Sequence, residues 1–219
     1  MNVSDVSAES ALSLLSEEER ERAADFVFER DRVRYIFSHG FLRQVLGLYL
    51  GIDPQSIPFQ FGSNGRPEIS SKNHCGEVRF NLSHSGDIAL LGVTAHRTIG
   101  VDVERVRELR HVGDIANSFF LPEERLFLAG LSDAERLKQF HILWVRKEAV
   151  VKAWGVGIFS GLMDLPVLCG EGEMILRVPE TSGGGNLFYL NDLPVYPGYE
   201  GAFCIEGARP RLALWEWSQ

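Results

Sequence analysis

Residues 99–104 read Ile-Gly-Val-Asp-Val-Glu, and this alternation of apolar and acidic residues predicts a β-strand. Side chains two residues apart share one face of a strand, so Asp102 and Glu104 should project together while the valines beside them face a core. Gly100 leaves room for another part of the chain to approach the backbone closely. Two neighbouring carboxylates repel unless a cation lies between them, and oxygen ligands favour Mg²⁺ before Mn²⁺ or Ca²⁺. The alternative is a solvated strand face that carries two acids.

The second informative segment is the end of a helix predicted over residues 134–154 and closed by Gly155. Trp144, Glu148 and Lys152 are spaced four residues apart, so they lie along one stripe of this helix. The stripe offers a third carboxylate and a cation. The alternative is an ordinary ion pair between Glu148 and Lys152 one helical turn apart.

A third segment, residues 80–86, reads Phe-Asn-Leu-Ser-His-Ser-Gly. Alternation would bury Phe80 and Leu82, which places Ser83, His84 and Ser85 in a polar loop at the end of the strand. Imidazole and hydroxyl groups can donate hydrogen bonds to phosphate oxygens. The alternative is a turn whose side chains cap its own backbone.

The remaining chain is predicted to hold helices followed by strands in each half, which is an α/β (α+β) pattern. Ser16 and Glu19 form a capping box at the start of a helix that should reach Phe28, and Pro122 marks another helix start. The other predicted elements are a helix at 32–50 closed by Gly51, strands at 57–61, 78–82, 88–94 and 98–104, and antiparallel strands after residue 158. Residues 106–121 have a mixed pattern.

The composition indicates a globular protein without a nucleic-acid partner. The chain has 219 residues and a formal net charge of −8, and a field of that sign disfavours non-specific binding of nucleic acid. Cys75, Cys169 and Cys204 fit no zinc or redox spacing, which is typical of reduced thiols. The first residues have no signal-peptide pattern and no run of about 20 apolar residues predicts a membrane span, so we expect a cytoplasmic protein.

Three segments taken together in this order resemble the 4′-phosphopantetheinyl transferases, specifically the long monomeric type that activates peptide and polyketide synthases. They are Phe-Asn-Leu-Ser-His-Ser-Gly at 80–86, Gly-Val-Asp-Val-Glu at 100–104, and Trp-Val-Arg-Lys-Glu-Ala-Val-Val-Lys-Ala-Trp-Gly-Val-Gly at 144–157. The similarity extends more loosely to Gly65-Arg66-Pro67, to Phe119-Phe120 and to residues 197–202. The resemblance implies a monomeric pseudo-dimer of two similar α/β subdomains, residues 1–105 and 106–219, with the active site in the cleft between them.

The resemblance also implies which residues form the site. The metal ligands would be Asp102, Glu104 and Glu148, and the catalytic residues would be Glu148, Lys152 and His84. Coenzyme A would contact a set of basic and hydroxyl side chains: Arg22, Arg34, Arg66, Ser83, His84 and Lys152. Two positions depart from the family pattern. Arg66 stands where the family usually has Lys, and Glu19 stands where many relatives have Lys, which would leave Arg22 alone to bind phosphate from the first helix.

The implied activity is Mg²⁺-dependent transfer of the 4′-phosphopantetheine arm of coenzyme A to a serine of an apo acyl or peptidyl carrier protein, with Mn²⁺ as a second suitable ion. Two other hypotheses use the same residues. One is a Mg²⁺-dependent nucleotide pyrophosphohydrolase, and the other is a non-catalytic module that binds coenzyme A or a carrier protein.

Overall fold

A computed structural model describes residues 8–62, 66–70, 78–109, 112–155, 165–168, 173–178 and 187–216. Within these ranges the fold is a mixture of helices and antiparallel sheets, as predicted. The helices are α1 (Ala8–Ser13), α2 (Glu17–Ala24), α3 (Glu29–Leu50), a 3₁₀ turn (Pro54–Ser56), α4 (Val112–Phe119), α5 (Pro122–Ala129) and α6 (Asp133–Trp154). The strands are β1 (Phe59–Phe61), β2 (Pro67–Ile69), β3 (Val78–Ser85), β4 (Ile88–Ala95), β5 (Ile99–Arg105), β6 (Glu173–Arg177), β7 (Leu187–Leu193) and β8 (Tyr199–Glu206).

The described strands form three antiparallel sheets. β1 pairs with β2, β3 pairs with β4, and the largest sheet has the order β5-β8-β7-β6. The strand that carries Asp102 and Glu104 is therefore hydrogen-bonded to β8, near the end of the chain. The two sheets that contain β3 and β5 meet along these two strands.

Helix α6 covers one face of the large sheet. Its apolar side chains Phe140, Leu143 and Val150 share a buried cluster with Phe188 and Leu190 of β7. The opposite face of the same sheet has a separate core made by residues of β5, β7 and β8: Ile99, Val101, Tyr189, Leu193, Phe203 and Ile205. The sheet is therefore buried on both sides near β5.

Helix α3 is the corresponding long helix of the N-terminal region. Its Leu42 and Leu46 pack with Ile57, Ile69 and Phe80, which brings β1, β2 and β3 under the helix. Both α3 and α6 have 22 residues and end at a glycine in the left-handed conformation, Gly51 and Gly155. A left-handed residue at this position is how many helices stop, and glycine adopts it without steric cost.

The helix predicted to run from Ser16 to Phe28 is shorter than expected. The capping box of Ser16 and Glu19 is present, but α2 ends at Ala24. Phe28, the residue just before α3, has an extended backbone. The ring of Phe26 packs 5.3 Å from that of Tyr35, which requires the chain to turn back before α3 begins. For the same reason α3 starts at Glu29, three residues earlier than predicted.

Among the described elements, the sequence analysis missed α1, the 3₁₀ turn, β2 and α4, the last of which lies in the segment with a mixed pattern. The Ser83–Ser85 segment was also placed wrongly, since it belongs to β3 rather than to a loop after it. The predicted helix start at Pro122, the helix closed by Gly155 and the antiparallel strands of the C-terminal region are confirmed. Cys204 is a buried free thiol, while Cys75 and Cys169 lie outside the described residues.

Two ion pairs, the first of them fully buried, hold the C-terminal region together. Lys147 and Glu124 are fully buried, with 3.0 Å between Nζ and Oε2. The Lys147 ammonium also donates to the carbonyl of Leu165, and the Glu124 carboxylate accepts from the backbone of Leu121 and Val167. This pair thereby joins α5, α6 and the segment 165–168.

The second pair lies one residue earlier on α6. The guanidinium of Arg146 donates two hydrogen bonds of 2.7 Å to the carboxylate of Asp192 on β7. A bidentate contact of this kind fixes the helix on the sheet in both distance and rotation.

Candidate active site

The site is built on the face of β5 that α6 covers. Gly100 is in direct contact with the helix, because a Cβ atom placed there would lie 2.1 Å from the carbonyl oxygen of Ala149 and 2.4 Å from the nitrogen of Ala153. No side chain fits in that space. The absence of a side chain at Gly100 therefore lets α6 rest on the backbone of β5, which confirms the close approach expected at this glycine.

This close contact brings Lys152 onto β5. Its ammonium group lies 2.6 Å from Oδ1 of Asp102, 3.1 Å from Oγ of Ser83 and 3.3 Å from the carbonyl oxygen of Val101. Lys152 thus reaches across to the strand rather than along its own helix to Glu148. The ordinary helical ion pair considered from the sequence is not how this lysine is used.

Polar side chains of β3 connect this strand to β5. Asn81 accepts from the backbone nitrogen of Val101 at 2.7 Å, and the Ser83 hydroxyl donates to Oδ1 of Asp102 at 2.7 Å. The Ser85 hydroxyl donates to Oε2 of Glu104 at 2.6 Å. Side chains at every second position of β3 therefore bind β5 from Val101 to Glu104, and each serine donates to one carboxylate. The alternative that these side chains cap their own turn is wrong.

Glu148 adds a third carboxylate to this face. Burial, followed by the charge of Asp102, raises the pKa of Glu148 to about 7, and the charge of Lys152 opposes the rise. Burial also raises the pKa of Asp102, although Lys152 and Ser83 stabilise its charged form. With Glu104, three carboxylates lie within electrostatic reach of one another and of one ammonium group, and a further cation would favour their charged forms.

The donor set fits a hard divalent cation. Oδ2 of Asp102 is buried and has no hydrogen-bond partner among the described residues, which leaves it available as a ligand. All three groups offer oxygen, the donor that Mg²⁺ prefers. In the arrangement seen here, no three His, Cys, Asp or Glu side chains in the described part of the chain converge closely enough to enclose a metal ion.

Basic side chains form the rim of the site. Burial lowers the pKa of His84, and the positive charges of His39, Lys152 and Arg34 lower it further. Arg34 lies 3.4 Å from Asp87, and its Nε is buried without a hydrogen-bond partner within the described ranges. His84 thus lies within electrostatic reach of His39, Lys152 and Arg34, and a cluster of basic groups favours an anionic ligand.

His39 was missed by the sequence analysis. It lies on α3, its ring stacks on that of Tyr35 with 4.0 Å between centroids, and its Nδ1 is 3.3 Å from Glu19. The signal that could have found it is the spacing of four residues between two aromatic rings on a predicted helix.

Arg22 and Glu19 border a cavity of about 230 Å³ beside this rim. Arg22 is exposed, and its guanidinium lies 6.0 Å from the centre of the Tyr35 ring. Glu19 accepts a hydrogen bond from Arg43, whose guanidinium also donates to the carbonyl of Pro54. Burial alone would raise the pKa of Glu19, but the hydrogen bonds from His39 and Arg43 and the charge of Arg43 lower it to about 2. The negative charge of Glu19 is thus balanced within the fold by Arg43.

Arg66 is half-buried and contacts the backbone of β3, β5 and α6. Its guanidinium donates to three backbone carbonyls, those of Lys152 at 2.5 Å, Phe80 at 2.7 Å and Ile99 at 2.7 Å. Burial lowers its pKa. Arg66 therefore fastens the end of α6 to β3 and β5, and its role toward phosphate stays a prediction.

Comparison with known proteins places these motifs in one family. A model described as the 4′-phosphopantetheinyl transferase superfamily matches residues 98–185, and one described as the N-terminal region of 4′-phosphopantetheinyl transferase matches residues 3–96. Within the described residues, none of the helices has the length and apolar content needed to cross a bilayer.

Individual relatives agree with these models. The 4′-phosphopantetheinyl transferase HetI of Nostoc sp. is 40% identical over 144 residues, which cover 66% of this chain and 61% of HetI. The slr0495 protein of Synechocystis sp., described under the same family name, is 35% identical over 183 residues, which cover 84% of this chain and 73% of the relative. The 4′-phosphopantetheinyl transferase Sfp of Bacillus subtilis is 27% identical over 197 residues, or 90% of this chain and 84% of Sfp. The chain thus spans less than two thirds of HetI and a larger share of the other two, and it belongs to the 4′-phosphopantetheinyl transferase family.

Proposed function

We propose that this protein transfers the 4′-phosphopantetheine arm of coenzyme A to a serine hydroxyl of an apo acyl or peptidyl carrier protein and releases adenosine 3′,5′-bisphosphate. The observation that supports this most directly is the meeting of Ser83, Asp102 and Lys152, which come from three distant segments. Carboxylates, an ammonium group and a basic rim are the groups that phosphoryl transfer requires, because this reaction depends on positioning and on charge stabilisation.

Asp102, Glu104 and Glu148 would hold the divalent cation, Mg²⁺ or Mn²⁺. When bound, the ion would neutralise charge on the pyrophosphate and polarise the phosphorus under attack. The free Oδ2 of Asp102 and the electrostatic coupling of Glu148 to Asp102 and Glu104 support this assignment.

The basic residues would bind and orient the anionic substrate. Lys152 and His84 would hold phosphate oxygens, with Lys152 stabilising the leaving group. Arg34 and Arg22 line the adjoining rim and cavity, where the remaining phosphate of coenzyme A would lie. Ser83 would donate to a phosphate oxygen if its hydroxyl rotates away from Asp102.

The proton of the carrier serine needs an acceptor. Glu148 would accept it, either directly or through a water molecule, since its pKa of about 7 before metal binding is close to working pH. A bound cation lowers that pKa, so the relay through water becomes the more effective route.

The activity is tested by mixing the purified protein with coenzyme A, Mg²⁺ and a panel of apo carrier proteins, and weighing each carrier by intact mass spectrometry. We expect a mass gain of one phosphopantetheine that a chelator abolishes. Asp102→Asn should remove the gain, whereas Asp133→Asn, the same change at a side chain that is 98% exposed, should not.

Other outcomes would decide for another function. Cleavage of coenzyme A without a modified carrier would identify a pyrophosphohydrolase. Binding of coenzyme A without modification of any carrier would identify a non-catalytic binding module.

A further inference from the structure

Ser85 is the last residue of β3, and its hydroxyl lies between the two sheets. It donates to Oε2 of Glu104 at 2.6 Å and accepts a hydrogen bond from the backbone nitrogen of Arg105 at 3.1 Å. A serine hydroxyl has a single proton. Because the Arg105 amide occupies an acceptor position on the oxygen, the proton is directed at Glu104.

Glu104 needs such a restraint more than Asp102 does. Asp102 is short, buried and held at one oxygen by both Ser83 and Lys152. Glu104 has a longer side chain with more rotatable bonds, and fixing it costs more conformational entropy. In the described contacts its carboxylate is held by Ser85.

A like charge lies directly across from Glu104. Glu200 on β8 is its partner in the antiparallel register, so both side chains project from the same face of the sheet. Burial raises the pKa of Glu200, and its Oε1 lies 3.9 Å from Nζ of Lys138. Two acids therefore share one register position on this face, and Ser85 is the group that binds the carboxylate of Glu104.

The position of Ser85 is itself fixed by the opposite sheet. The turn after β3 packs against Tyr199 of β8, whose hydroxyl oxygen accepts from the backbone nitrogen of Asp87 at 3.2 Å. A Cβ atom at Gly86 would lie 2.4 Å from the same oxygen, and Gly86 has a φ of +57°. The hairpin end therefore cannot shift along β5 without losing this contact.

We propose that Ser85 is a positioning residue that holds Glu104 in the orientation needed to bind the divalent cation. This inference rests on the proposed function, because it takes Glu104 as a metal ligand. Groups that hydrogen-bond a ligand carboxylate orient it toward the metal and reduce the freedom lost on binding.

The test is a titration of the protein with Mn²⁺, monitored by electron paramagnetic resonance in the presence of saturating coenzyme A. Coenzyme A without the protein is the blank. Ser85→Ala should weaken Mn²⁺ affinity roughly tenfold, the lower end of the effect seen when such groups are removed. Ser85→Thr keeps the hydroxyl and should stay within about twofold of wild type. Ser118→Ala, which removes an exposed hydroxyl bonded to the carbonyl of Asp114, is the matched control and should change nothing.

Two further measurements separate positioning from a general loss of structure. Coenzyme A affinity measured by calorimetry in chelator should be unchanged in Ser85→Ala. In the transfer assay the Mg²⁺ concentration for half-maximal rate should rise, while the rate at saturating Mg²⁺ stays close to wild type.

The failures are distinguishable. If wild type binds Mn²⁺ and Ser85→Ala binds it equally well, or if Ser85→Thr is as weak as Ser85→Ala, the positioning role is overturned and the proposed function stands. If wild type binds no Mn²⁺ beyond the blank, both fail.

Discussion

The ammonium group of Lys152 lies 2.6 Å from Oδ1 of Asp102, although the two residues are 50 positions apart in the chain. The side chain of Asp102 is 5% exposed, so this contact joins a buried carboxylate to the end of a helix that belongs to the other half of the sequence. It marks the point where the candidate active site is assembled, and it can be tested directly.

Lys152→Met should weaken coenzyme A binding and reduce the rate of transfer. The variant removes a charged donor from the position where the leaving group develops charge, and such losses cost about 100-fold in rate. Calorimetry and the intact-mass assay measure the two effects. Lys138→Met, on the exposed part of the same helix, is the control and should retain both. Unchanged affinity and rate in Lys152→Met would mean that this lysine only holds Asp102.

Gly100→Ala should destabilise the protein by about 3 kcal/mol, because the added methyl group would overlap the backbone of α6. The comparison is Gly113→Ala on α4, where an added Cβ meets nothing within 4 Å. There the same substitution should stabilise by about 0.5 kcal/mol, through the higher helix propensity of alanine. Urea unfolding gives both values. Equal effects at the two glycines would contradict the close contact between β5 and α6.

Glu19→Gln should destabilise the protein by roughly 2 kcal/mol at pH 7, because it leaves the Arg43 guanidinium buried without its carboxylate. Since the folded pKa of Glu19 is lowered from 4.5 to about 2, its stabilisation is complete above about pH 4.5 and is lost as the pH falls toward 2. The difference between wild type and Glu19→Gln should therefore shrink over that range.

Urea unfolding at pH 7 and at pH 3 measures this change, with Glu17→Gln, an exposed acid of the same helix, as the control. A difference that stays constant with pH would mean that the charge of Glu19 is not what stabilises α3.

Lys147→Met should cost about 3–5 kcal/mol, because it leaves Glu124 charged and buried without a cation. The double variant with Glu124→Gln should be more stable than the sum of the single losses predicts, since no unpaired charge remains. A double-mutant cycle in urea unfolding measures this coupling. Additive losses would show that the two groups do not depend on each other.

The parts of the fold that the sequence predicted are those with a clear period. The alternation at 99–104 placed Asp102 and Glu104 on one face, and the four-residue spacing on α6 placed Glu148 and Lys152 on one stripe. Both arrangements follow from the repeat of a strand or a helix, which can be read from residue spacing alone.

The parts that the sequence did not predict depend on distant partners. Lys147 has the appearance of an exposed charge in its helix, and only Glu124 and Leu165 make its burial favourable. The local sequence around Ser83 and Ser85 is typical of a loop, and only their hydrogen bonds to carboxylates of β5 explain why they belong to a strand. Phe28 ends up outside a helix because Phe26 packs on Tyr35, a contact that the local pattern does not contain.

The junction between β3 and β5 is made by side chains, and this has a consequence for isotope exchange. The amide of Val101 is bonded to Asn81, and the amide of Arg105 is bonded to Ser85. Neither amide relies on a backbone ladder between the two strands. If the hairpin of β3 and β4 detaches transiently, these two amides exchange with deuterium while the amides that β5 shares with β8 stay protected. Two residues of one strand thus report separately on the opening of the junction between the two sheets.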